Sequence, residues 1–165
     1  MTLDRLNSLP SAEAHSELLR CCGSERWAGA MTARRPFSSR KDLLQVADEL
    51  WKTLATEDWM QAFSSHLKIG HLKGVREKFA SEMATEEQAG VRGAPDAVLR
   101  DLAAANRLYE EKFGYIFIVC ATGKSAPEML GILKRRMNND RATELRVAAA
   151  EQSRITMLRL EKLCA

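Results

Sequence analysis

The sequence has few residues that interrupt regular structure, and neither sign of charge dominates it. It holds 9 glycines and 4 prolines in 165 residues, and 45% of its residues are hydrophobic. This composition excludes a disordered or collagen-like chain. No apolar run approaches the ~20 residues that span a membrane. The 25 basic and 22 acidic residues leave a net charge of +3, which is too small to indicate a nucleic-acid or membrane partner.

Cysteine is also scarce, and its spacing excludes a disulfide framework and a zinc site. Cys21 and Cys22 are adjacent and unsuited to bridging each other, while Cys120 and Cys164 stand alone. No CxxC motif or Cys/His cluster is present. Free thiols are typical of a reducing compartment, and charged residues near the N-terminus break up any secretory signal. We therefore expect a cytoplasmic protein.

Apolar residues recur at steps of three and four along most of the chain, which is the pattern of amphipathic helices. Ser39, Ser125 and Asp140 are suited to cap helix N-termini, and Glu128 completes a capping box with Ser125. Helices are predicted over residues 11–22, 25–33, 85–91 and 141–163. Others begin after Ser39, at Thr56 and after Ser125, and a long one carries Val98, Leu99, Leu102, Ala105 and Leu108 on one side.

One segment is strand-like. Residues 115–121 are rich in β-branched and aromatic side chains, but a single strand without a partner cannot build a sheet. We predict a buried, extended connection instead. The sequence therefore predicts an all-α fold, a single-domain bundle of about seven to nine helices that spans residues 1–165.

Two histidines and one arginine are candidates for chemistry. His66 and His71 flank Gly70, a spacing at which both could bind a metal, although no third ligand is evident. One histidine is enough for acid–base catalysis, because its pKa of about 6.5 lies near neutral pH. Arg159 lies within an apolar helical stripe and needs an anion, several acceptors or a path to solvent. Glu87 opens a predicted helix, where helix-dipole stabilisation is the simplest explanation.

Short motifs occur in a fixed order along most of the chain. Each is modest alone, and together they resemble the family of 2-oxo-4-hydroxy-4-carboxy-5-ureidoimidazoline (OHCU) decarboxylases of urate degradation. The motifs are His66-Leu67-Lys68-Ile69-Gly70, Glu87-Gln88-Ala89-Gly90, Asn106-x-x-Tyr109-x-x-Lys112-Phe113-Gly114, Phe117-Ile118-Val119-Cys120-Ala121-x-Gly123-Lys124, Arg136-x-x-Asn139-Asp140, Glu144-Leu145 and Glu151-x-x-x-Ile155-x-x-x-Arg159-Leu160.

The resemblance implies a cofactor-free decarboxylase that converts OHCU to (S)-allantoin. The carboxylate carbon of this substrate lies next to a ring C=N, which acts as a built-in electron sink. Neither a metal nor an organic cofactor is then needed to delocalise the electrons. The resemblance also implies one OHCU-decarboxylase-like domain over residues 1–165 and a homodimer.

The same resemblance assigns roles to individual residues. It implies that His66 and Glu87 are catalytic. His71 replaces an acid that is usual in the family, and only His66 occupies the family's histidine position. It implies a substrate-binding role for Gln88, for Arg159 and for the stretch Phe117, Ile118, Val119, Cys120 and Ala121. Leu67 and Ala84 occupy substrate-side positions where the family usually has Pro and Ser.

Two alternatives to a decarboxylase stay open. In a non-enzymatic all-α interaction module, His66, Glu87 and Arg159 form a structural polar network. In a metal-dependent hydrolase, His66 and His71 bind the metal.

Overall fold

The structure, a computed structural model, describes residues 1–66 and 93–165. Within these ranges it has no strand, and none of the helices is long and apolar enough to cross a membrane. The prediction of an all-α fold is confirmed. The described residues form eight helices: α1 (Leu3–Ser8), α2 (Ser11–Cys22), α3 (Glu25–Ala33), α4 (Arg40–Lys52), α5 (Thr56–Ser64), α6 (Asp96–Phe113), α7 (Ala126–Arg136) and α8 (Arg141–Leu163).

The helices begin and end where the capping residues indicate. The hydroxyl of Ser39 accepts a hydrogen bond from the backbone N–H of Asp42 at 3.1 Å. Ser125 and Glu128 form the predicted capping box at the start of α7. The side chain of Asp140 accepts a bond from the N–H of Thr143 at 2.8 Å at the start of α8. The ranges predicted for α2, α3 and α8 are confirmed.

One helix lies outside the predictions, and two predictions about helices have other outcomes. Helix α1 was not predicted, because six residues with two leucines are too short to show a period. The placement of Leu108 on the buried side of α6 is wrong: its side chain is 57% exposed. The buried positions of α6 are Leu102, Asn106, Tyr109 and Phe113, and the helical rotation of 100° per residue places position 108 well off that face. The predicted helix over residues 85–91 lies outside the described residues.

The chain divides into two compact units, the first of which comprises Met1–Ser65 and Gln152–Ala165. In this unit α3 packs against α2, α4 and α5. The fully buried Trp27 donates its indole N–H to the carbonyl of Ala47 at 3.1 Å, and the rings of Trp51 and Trp59 lie 5.9 Å apart. Apolar packing of helix faces therefore dominates this interior.

Gly23 joins α2 to α3 at a point where no other residue fits. Its φ of +85° lies in the left-handed region, which favours glycine. A Cβ atom here would lie 2.1 Å from the hydroxyl of Ser65. Gly23 thus allows the end of α2 to lie against the end of α5.

The second unit comprises His66–Glu151. In its described part α6 packs against α7, and α6 ends at Gly114, whose φ is +85°. The aromatic rings of Tyr109 and Phe117 meet edge to face with their centroids 5.4 Å apart. This packing brings residues 115–121 against the buried side of α6.

Candidate active site

His66 lies just beyond the end of α5. The helix ends at Ser64, and Ser65 donates its backbone N–H to the carbonyl of Ala62 at 3.2 Å. His66 itself is half-buried and is the first residue of the second unit. The other predicted residues nearest to it in sequence, Leu67, His71, Ala84, Glu87 and Gln88, lie outside the described residues.

The stretch Phe117, Ile118, Val119, Cys120 and Ala121 forms the buried, extended connection that the sequence predicts. All five residues are buried, with exposed fractions between 1% and 8%. Among the described residues, no helix or sheet ladder pairs their backbone groups: the carbonyl of Ala121 accepts from the backbone N–H of Lys124 at 3.0 Å, and side chains bind other groups of the stretch.

Three side chains bind the backbone of this stretch. Arg136 donates from Nη1 to the carbonyl of Ile118 at 2.7 Å. The backbone N–H of Cys120 donates to Oε2 of Glu151 at 2.7 Å, and Lys124 donates from Nζ to the carbonyl of Cys120 at 2.7 Å. The backbone is therefore held on both sides of Val119.

Val119 lies between Ile118 and Cys120 and differs from both of them. Among the residues that the structure describes, none forms a hydrogen bond with its N–H or its C=O. Buried backbone groups without a partner are rare in proteins, and each calls for an explanation such as a functional role. An adjacent donor and acceptor of this kind match a flat ligand that carries a C=O next to an N–H.

A buried ionic network lies behind the stretch. Glu144 is fully buried and accepts hydrogen bonds from Nε and Nη2 of Arg136 at 2.8 and 2.5 Å. It also accepts from the hydroxyl of Tyr109 and, at 2.8 Å, from the side-chain amide of Asn139. The guanidinium of Arg136 covers the ring of Phe117, 4.7 Å from its centroid.

Sequence reasoning found these network residues only as pieces of family motifs. A possible signal was the polar side chains of Asn106 and Tyr109 at positions of α6 that the helical period places on its buried face. Burial and the bond to Glu144 raise the pKa of the Tyr109 hydroxyl. Tyr109 therefore remains a neutral hydrogen-bond donor.

Arg159 lies in the first unit, on α8. It is half-buried, and its Nη1 donates to the carbonyls of Arg20 and Cys21 at 3.4 and 3.3 Å. These carbonyls belong to the last turn of α2, where the helix dipole favours a cation. These two hydrogen bonds hold the guanidinium of Arg159 at Nη1.

The predicted absence of a disulfide framework is confirmed: Cys21, Cys22, Cys120 and Cys164 are all described, all are buried, and they form no disulfide with one another. Burial raises the pKa of the Cys21 and Cys22 thiols to about 12. In the part of the chain that the structure describes, no group of three or more His, Cys, Asp or Glu residues is placed to hold a metal ion. The buried thiols of Cys21 and Cys22 are neutral, and such thiols are structural groups rather than nucleophiles.

Comparison with known proteins gives consistent results. The model of the OHCU decarboxylase family matches residues 7–161, a range that includes residues of both compact units. A crystal structure of OHCU decarboxylase in the presence of (S)-allantoin is similar, with a TM-score of 0.79 and 36% sequence identity. The similarity covers 90% of this chain and 96% of that one.

Two relatives are also similar to this chain in sequence. The uric acid degradation bifunctional protein TTL of Arabidopsis thaliana is 37% identical over 145 residues, which is 87% of this chain and 45% of that protein. The chain thus spans less than half of that relative's length. The 2-oxo-4-hydroxy-4-carboxy-5-ureidoimidazoline decarboxylase of Amia calva is 31% identical over 140 residues, covering 82% and 78%. The chain belongs to the OHCU decarboxylase family.

Proposed function

We propose that the protein decarboxylates OHCU to (S)-allantoin. The observation that carries this proposal is the backbone of Val119, whose N–H and C=O have no partner among the described residues although the residue is buried. The flat ring of OHCU offers a carbonyl and an N–H that pair with these two groups. Family membership supports the same substrate.

The reaction places three demands on the protein. It must orient the leaving carboxylate, accept or donate a proton at the neighbouring hydroxyl, and protonate the new carbanion-like carbon on one face. The ring C=N next to the carboxylate carbon accepts the electron pair that the departing CO₂ leaves behind. We therefore propose that the enzyme is a carboxy-lyase without a cofactor.

The predicted site residues divide the work of binding and proton transfer in this proposal. His66 transfers the proton, because imidazole titrates near neutral pH. Glu87 orients His66 or binds the hydroxyl, and Gln88 binds the ureido group through its amide. Arg159 binds the carboxylate or a ring carbonyl, for which a planar guanidinium is suited. Leu67 and Ala84 contact the substrate.

Assembly and location are also proposals. The family resemblance supports a homodimer, and the family match across residues of both units supports one OHCU-decarboxylase-like domain over residues 1–165. Four buried cysteines that form no disulfide with one another are compatible with a reducing cytoplasm. Sedimentation equilibrium tests the dimer, and a protein that stays monomeric at micromolar concentration would contradict it.

The proposed activity is tested with freshly generated OHCU, by following optically active allantoin with circular dichroism. We expect rapid formation of the S enantiomer, and we expect His66→Asn to lower turnover by about 10²–10⁴-fold, the usual contribution of a general acid or base. His71→Asn is the matched control, because it removes the other histidine of the same motif and should have a much smaller effect.

The remaining outcomes distinguish the alternatives. A metal-dependent hydrolase would lose activity on exhaustive chelation and regain it with zinc, and His71→Asn would then be as damaging as His66→Asn. A protein that folds normally but leaves OHCU unchanged relative to buffer would be an interaction module, and the proposed activity would be wrong.

A further inference from the structure

The backbone on either side of Val119 is bound along one edge. In an extended chain, the N–H and C=O of one residue point to one edge, and those of the next residue point to the opposite edge. The carbonyl of Ile118 and the N–H of Cys120 therefore share an edge, where Arg136 and Glu151 bind them. The N–H and C=O of Val119 face the other edge.

The hydrogen bonds of Arg136 and Glu151 to this backbone are strong, and both side chains belong to helices. Both join a charged side chain to a backbone group at 2.7 Å, and charge-assisted hydrogen bonds are about twice as strong as neutral ones. Arg136 is itself held by the fully buried Glu144. Glu151 reaches Cys120 from α8, whose first turn carries Glu144. Two adjacent helices, α7 and α8, thus set the conformation of a stretch that has no regular structure of its own.

We infer that Arg136 and Glu151 are positioning residues, which hold residues 118–120 so that the N–H and C=O of Val119 pair with the substrate ring. This inference rests on the proposed function. Neither side chain needs to touch the substrate, because each acts through a neighbouring peptide group. A shift of about 1 Å away from productive geometry is enough to cost an enzyme about 100-fold.

The test compares Glu151→Met with Glu151→Gln. Methionine keeps the length and helix propensity of the side chain but removes a good acceptor, whereas the amide oxygen of glutamine can still accept from the N–H of Cys120. For Glu151→Met we expect KM for OHCU to rise about tenfold, the effect of one lost hydrogen bond, with kcat nearly unchanged. Glu151→Gln should restore most of the affinity.

Lys112→Met is the matched control. Lys112 also donates to two backbone carbonyls in the same unit, those of Met137 and Asn139 at 2.5 and 3.1 Å, but it does not bind residues 117–121. We expect a lower melting temperature and an unchanged KM. Arg136→Lys is a second variant, which keeps the charge beside Glu144 but removes the guanidinium, and it tests the inference if Glu151→Met does not fold.

The outcomes separate this inference from the proposed function. If the wild-type protein fails to convert OHCU, the proposed function is wrong and the inference falls with it. If the wild type is active but Glu151→Met and Arg136→Lys keep a normal KM at temperatures below their melting points, only the inference is overturned. An equal rise in KM for Lys112→Met would also overturn it, because the effect would then be a general consequence of destabilisation.

Discussion

The interiors of the two compact units are stabilised in different ways. In the first unit the large buried side chains, such as Leu18, Trp27 and Met31, are apolar, and the buried polar residues are uncharged. In the second unit the interior contains the ion pair of Arg136 and Glu144. Among the described residues, these are the buried charged side chains.

The difference follows from the kind of backbone that each unit buries in its interior. The first unit buries helix faces, and helices satisfy their own backbone groups, so apolar packing is sufficient. The second unit also buries residues 117–121, whose peptide groups belong to no helix or sheet of the described residues, and buried carbonyls and N–H groups are nearly always paired in proteins. Arg136 supplies such a partner, and its own charge then needs Glu144. Burying irregular backbone thus explains why charge is buried here.

Breaking the ion pair should give the largest effect on stability. Glu144→Leu leaves the charge of Arg136 buried and unpaired, and we expect the free energy of unfolding to fall by about 3–5 kcal/mol. The measurement is urea unfolding followed by far-UV circular dichroism. The double variant Arg136→Met with Glu144→Leu should recover part of the loss, since it removes the unpaired charge but leaves the carbonyl of Ile118 without the donor that Arg136 supplies. A double variant as unstable as the single one would mean that the pair itself stabilises the unit.

A cavity in the apolar interior should cost somewhat less. Met31 is fully buried in α3, and Met31→Ala should lower the free energy of unfolding by about 3 kcal/mol, within the range for such truncations. Met31→Leu is the control, because it nearly conserves volume and should cost less than about 1.5 kcal/mol. If both variants lost the same stability, close packing would not be what stabilises this unit.

Arg159 should affect function rather than stability. Arg159→Lys keeps the charge but loses the planar fork, and we expect kcat/KM for OHCU to fall about ten- to hundredfold, equivalent to about 1.5–3 kcal/mol. Its melting temperature should stay close to that of the wild type. A variant with a lower melting temperature and normal kinetics would show that Arg159 only anchors α8 to the carbonyls of α2.

The smallest expected effect is on the stability of the protein in acid, and it comes from Asp140 in the second unit. The hydrogen bond from the N–H of Thr143 lowers the pKa of Asp140 below its ordinary value. The carboxylate therefore stabilises the folded state above its unfolded pKa, near 3.8, and this contribution is lost as the pH falls through its lower folded pKa. Asp140→Asn should show a flatter dependence of melting temperature on pH below about 4. An unchanged dependence would contradict a capping role for the charge.

Local chemistry was sufficient to predict most of the described fold. Capping residues such as Ser39, Ser125 and Asp140 act within three or four positions, so their effect is visible in the sequence. The same holds for the extended stretch, whose composition differs from its surroundings. Helix α1 escaped prediction because it has too few residues to show a period.

The candidate site was less predictable, because its parts come from distant positions. Tyr109, Arg136 and Glu144 lie up to 35 residues apart in the sequence, and nothing local indicates that they meet. The bond between Glu151 and Cys120 spans 31 residues. Family motifs marked these residues without giving their roles, and those roles follow from the hydrogen bonds of the folded chain.

The tryptophans and the tyrosines lie in different units, which separates part of their optical signals. All three tryptophans, Trp27, Trp51 and Trp59, belong to the first unit, and both tyrosines, Tyr109 and Tyr115, belong to the second. Emission excited at a wavelength that only indole absorbs therefore reports the first unit, while near-ultraviolet dichroism, to which indole and phenol rings both contribute, reports the two units together. Coincident transitions from the two signals would indicate cooperative unfolding of the whole chain, and this comparison needs no added label.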